Sequence, residues 1–148
     1  MLENQHDNAV SQKPRSSGLT FICILTFIGS GFSAFAFFVI FLIYYEIPSI
    51  IAQEGFPMDN EGILALIKNA GRHFFLAMTV LYLISFTGAV MMWKQNRKGF
   101  HFYTIAQLMM LLIPFFMVTG YTVPLPNALI TSVFIGAYGL NMGEMRRN

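Results

Sequence analysis

Charge is scarce in this chain. Asp, Glu, Lys and Arg make up 11% of its 148 residues, against about 25% in an ordinary soluble domain. The net charge of +2 is small and dispersed, which excludes the basic face that a nucleic-acid binder presents. Cysteine is scarcer still: Cys23 stands alone, so an intramolecular disulfide and C-x-x-C thiol chemistry are both excluded. No Gly-rich phosphate loop, nucleophile elbow or H-E-x-x-H occurs, which removes a soluble type of active site. What the chain has instead is apolar bulk: 55% hydrophobic residues, including 16 Phe and 10 Met, and a mean hydropathy of +0.59. That composition excludes disorder, and its continuous apolar runs exclude a core wrapped in a polar shell. The expected fold is all-α, an integral membrane four-helix bundle.

Residues 1–18 are polar, carry Pro14 and Gly18, and read as a flexible cytoplasmic tail. Residues 19–148 then form one transmembrane domain. From Leu19 to Tyr45 no charge occurs, and the run exceeds the roughly 20 residues a spanning helix needs. Lys13 and Arg15 ahead of it, and Ala34-Phe35-Ala36 within it, imitate a secretory signal. The apolar run continues past those alanines and outlasts a signal's core of about 7 to 15 residues, so an uncleaved helix is expected. Glu46, Pro48, Glu54, Pro57, Asp59 and Glu61 then take the chain out of the hydrocarbon. In this first extracytoplasmic loop Asp59 is placed to cap a short amphipathic helix, since Ile63, Leu66 and Ile67 recur on one face. The second span is expected at 73–93, the third at 100–118 with Pro114 kinking rather than ending it, and the fourth at 125–141.

Orientation follows from the cations. With four spans, one side holds Lys13, Arg15, Lys94, Arg97, Lys98, Arg146 and Arg147 against Glu3, Asp7 and Glu144, a net +4. The other holds Lys68 and Arg72 against Glu46, Glu54, Asp59 and Glu61, a net −2. By the positive-inside rule both termini are cytoplasmic. Trp93 and Tyr103 on the inner side, and Tyr44, Tyr45 and Tyr121 on the outer, fit interfacial belts.

Lipid tails are as apolar as Leu, so helices in a bilayer associate through small residues and polar contacts. Gly29, Ser33 and Ala36 mark one such face on the first span, and Ser132, Gly136, Gly139 and Gly143 mark one on the fourth. Ser85 and Gly88 are the corresponding pair on the second. These faces serve either packing within the chain or a homo-oligomer. Gln107, the most polar side chain near mid-depth, should face protein and pair with Ser85 or Tyr82 of the second span.

No ionisable group falls inside a span, where proton and ion pathways place them. His73 and His101 sit at opposite ends of their helices and His6 in the tail, so neither a haem nor a metal site is expected. The segment Met92-Trp93-Lys94, Lys98-Gly99-Phe100, Tyr103 and Ala106-Gln107 resembles the central hairpin of small, uncharacterised bacterial four-span membrane proteins. That resemblance implies a bacterial inner membrane and no catalytic activity.

Three functions remain open. The first is a non-enzymatic accessory or scaffold subunit in the lipid bilayer, alone, as a homo-oligomer or within a larger membrane complex. The second is a small oligomeric transporter or channel whose path is lined by Gln107, Ser85, Thr131 and Asn127. The third is an enzyme or binder acting on lipid or quinone, using Glu46, Arg72 or His73. No cofactor is expected.

Overall fold

A computed structural model describes residues 17–51, 60–118 and 125–142. These form five helices: α1 (Ser17–Ile43), α2 (Ile47–Ile51), α3 (Asn60–Trp93), α4 (Lys98–Met117) and α5 (Leu125–Asn141). There is no strand among the described residues. The polar tail, Asp59, Glu54, Tyr121, Gly143 and the C-terminal arginines lie outside them, as do the side chains of Ile63 and Leu66.

Three helices are long and apolar enough to cross a membrane: α1, the 67–93 portion of α3, and α4. Helix α5, where the fourth span is expected, has 17 residues and rises about 25 Å; it is not among these three.

On α1, Leu19, Cys23, Thr26, Ser30 and Ala34 recur every three or four residues and are all buried, while Phe21, Ile28, Phe32 and Phe35 are exposed. Small and polar groups face inward and large apolar ones outward, the arrangement a lipid solvent favours. The buried stripe is not the one expected. Gly29 is exposed and Ser33 half-buried, because the face that packs is set by Cys23 and Thr26, about one residue's rotation away.

After α1, the carbonyl of Glu46 accepts the Ser49 and Ile50 N–H groups at 3.1 and 3.0 Å, which starts α2. Pro48 sits in the first turn of α2, where a missing N–H costs nothing. In α3, Gly71 adopts φ 69° and ψ 161°, a conformation essentially confined to glycine. It divides the helix into an arm at 60–70, where the loop helix was expected, and the long apolar portion that follows. Pro114 does not end α4, which continues to Met117.

The α3–α4 connection is built by backbone. The N–H of Asn96 bonds Met91 O and that of Gln95 bonds Met92 O, both at 2.9 Å, with Gln95 at φ 60°; this pairing is a Schellman end. Asn96 Oδ1 then accepts the Lys98 N–H at 3.0 Å. Just beyond, Gly88 and Gly99 bring the two helices together. A Cβ on Gly99 would lie 2.7 Å from Met91 Cβ and 2.8 Å from Met92 N, and one on Gly88 would lie 2.8 Å from Tyr103 N.

Three apolar clusters follow the long axis. Leu19, Cys23, Ala89, Met92, Tyr103 and Tyr138 form one end; Met78, Leu81, Ala106 and Met110 the middle; Ala70, Phe75 and Val118 the other end. Tyr103 therefore packs inside, 2% exposed, and does not join an interfacial belt. Its ring meets Tyr138 edge-on at 4.8 Å, a better use of an aromatic face than headgroup contact. Trp93 is likewise half-buried, against Phe27 at 5.6 Å.

Candidate functional site: a polar cleft beside α5

Helix α5 contributes one buried side chain, Tyr138, whose hydroxyl shares a 2.8 Å hydrogen bond with Thr26 Oγ1. Above that contact the helices separate and leave a cleft of two lobes. The first, about 200 Å³, is lined by Thr26, Ser30, Ser33, Tyr103 and Gln107 among others. The second, about 350 Å³, reaches toward Phe74, Met110, Pro114 and Asn127. Tyr82, Gln107, Ile130 and Thr131 line both lobes and join them.

Among the described residues the lining carries hydroxyls and amides but no charge. Ser30 satisfies its hydroxyl by donating to Thr26 O at 2.6 Å. Gln107 Nε2 donates to Ser85 Oγ at 3.3 Å, the pairing expected from matching depth. Ser85 itself is fully buried behind Gln107 and does not line the cleft, so it acts as the support that orients the amide. Of the four residues expected along a path, Gln107, Thr131 and Asn127 are brought together on the cleft wall.

The small residues behave differently from expectation. A Cβ at Gly29 or Gly136 would meet nothing within 4 Å, and one at Gly139 would only touch the Phe100 ring at 4.0 Å. Packing within the chain does not use these glycines, because α5 approaches α1 and α4 through the Tyr138 side. The tight contact is Gly88 with Gly99: Gly88 belongs with Ser85 to the small-residue face expected on the second span, and Gly99 lies in the first turn of α4.

At the far end, Arg72 Nε donates to Phe41 O at 3.3 Å and its guanidinium stacks on Phe41 and Tyr45, 4.3 and 5.4 Å from the ring centroids. It clamps α3 to the end of α1. His73 and Glu46 are exposed, and His101 lies at the opposite end of the chain's long axis, on α4. Among the described residues no group of His, Cys, Asp and Glu is placed to hold a metal. Cys23 is buried and in no disulfide, and its thiol donates to Ala89 O at 3.9 Å.

No family model, curated protein or solved structure matches this chain. Its function is read from the chemistry of these groups alone.

Proposed function

We propose that the chain is a four-span inner-membrane protein of a bacterium, with both termini cytoplasmic, that acts without catalysis as an accessory or scaffold subunit. In this reading α5 is the fourth span, slightly thin for a hydrocarbon layer of about 30 Å, and the 60–70 arm of α3 lies on the extracytoplasmic side. The observation that supports it is that Gly136 has open space around it, on a helix whose outer face carries Leu129 and Val133 exposed. Small residues unused inside one chain are the surface at which a second helix can approach. A homo-oligomer or a larger membrane complex would both use it. The test is Gly136→Leu, followed by native electrophoresis of gently solubilised membranes. A shift to a smaller species with normal monomer stability supports the reading; an unchanged species contradicts it.

The cleft favours a second reading, a small transporter or channel path along Gln107, Thr131 and Asn127. Uptake by reconstituted vesicles separates the two, since a scaffold subunit moves no solute.

Orientation is tested by labelling in a Cys23→Ser background. A membrane-impermeant thiol reagent on intact cells should modify Asp59→Cys and spare Arg97→Cys; the reverse would overturn the charge-based topology.

A further inference from the structure

We infer that the cleft beside α5 is a binding site for an uncharged, hydroxyl-bearing lipid of the monoacylglycerol kind, its head held at Gln107 and Thr131 and its chain leaving past Gly29. Four observations converge on this occupant. One end is shut: Thr26 and Tyr103, which line the first lobe, hold Tyr138, and Tyr138 is fully buried. A cleft closed at that end gives an occupant a seat within one subunit. Its flank opens sideways, because Leu25 and Ile130 on its rim are 45% and 57% exposed and Gly29 between them places no side chain in the gap. In a membrane that flank faces the acyl chains, so the occupant arrives through lipid.

The wall then selects the head. Gln107 spends one N–H on Ser85, which leaves its carbonyl oxygen and a second N–H. The hydroxyls of Ser33 and Thr131 make no hydrogen bond among the described residues. Each of these groups can accept, and hydrocarbon supplies no water to donate. A head with its own O–H groups satisfies them; an ester or quinone, which only accepts, leaves the oxygens of Gln107, Ser33 and Thr131 wanting. A carboxylate or phosphate head would enter a lining that holds no cation and would keep its desolvation penalty. Size agrees: the two joined lobes, about 200 and 350 Å³, are on the scale of the roughly 300–1,000 Å³ of ligand pockets, and Phe74, Met78 and Met110 give the second lobe apolar walls.

The inference does not depend on whether the outer face of α5 meets a partner. It is tested with the purified full chain in detergent, by native mass spectrometry during titration with three lipids that share one oleoyl chain: 1-oleoylglycerol, methyl oleate and oleate. One equivalent of 1-oleoylglycerol should bind about tenfold more tightly than either of the others, the value of one to two net hydrogen bonds. Gln107→Leu and the near-isosteric Thr131→Val should each weaken it several-fold. Gly29→Leu, which has room for its side chain but fills the rim, should weaken it most, while Phe116→Leu on the exposed face of α4 should change nothing. Equal binding of the three lipids overturns the inference, as does oleate binding best, or Thr131→Val and Gly29→Leu behaving like Phe116→Leu.

Discussion

At Gly88 and Gly99 the α3 and α4 backbones are so close that an added methyl would overlap main-chain atoms, whereas at Gly136 on α5 the same methyl would meet nothing. The hairpin is held along its length, by the Gly pair at its turn, by Ala106 and Met110 against Met78 and Leu81 in the middle, and by Phe75 and Val118 at the far end. Helix α5 is held at one end, by the buried Tyr138 with Phe134 and Ile135 packed beside it. The contrast teaches that small residues mark a helix contact only when the neighbouring helix is brought to them by something else. At the hairpin the short turn does this; on α5 nothing does, and a cleft remains.

The largest effect that sharpens the contrast is removal of the anchor. Tyr138→Ala should cost about 3–5 kcal/mol, the range for emptying a large buried aromatic site, and thermal denaturation in detergent should show α5 separating from an α1–α3–α4 unit that stays folded. Loss of all helices together would mean that α5 is integral to the bundle. Keeping the ring and deleting only the hydroxyl, in Tyr138→Phe, should cost about 1 kcal/mol through the Thr26 bond.

Gln107→Leu comes next, at about 1 kcal/mol or less. Interhelical hydrogen bonds in membranes average near 0.6 kcal/mol, and Ser85, left behind, can bond a carbonyl of its own preceding turn. Normal expression and a melting temperature within a few degrees of the parent are the expected result. A large loss would show that the amide holds α4 to α3. The smallest effect is a gain: Gln95, at φ 60°, occupies the position where helix ends prefer glycine, so Gln95→Gly should stabilise the hairpin by about 0.5 kcal/mol.

Much of this was legible in the sequence. Uncharged runs placed the helices, Gly71 falls at the boundary expected between a loop helix and the second span, and equal depth on antiparallel helices was enough to pair Gln107 with Ser85. Which way each helix faces was not legible. A span apolar all round has no hydropathy contrast to orient it, so the face had to be guessed from small residues. On α1 two stripes compete one residue apart, Gly29–Ser33 and Thr26–Ser30, and the second is continuous with Cys23, which packs on Ala89 of α3, and meets Tyr138 of α5, contacts that no local pattern reveals. Tyr103 was missed for a related reason: an aromatic near a helix end looks interfacial until a partner such as Tyr138 is known. The cleft is hidden for the same reason: Gly29, expected in a helix contact, lines the first lobe with open space in front of it.

The paired comparison of Gly99→Ala and Gly136→Leu, melted in the same detergent, tests the central contrast most directly. Gly99→Ala should lose about 2–3 kcal/mol, the cost of overpacking against backbone that cannot move aside, although it adds one methyl. Gly136→Leu adds a whole side chain and should melt with the parent. Equal melting temperatures for the two variants, or a greater loss in Gly136→Leu, would mean that α5 packs as closely as the hairpin.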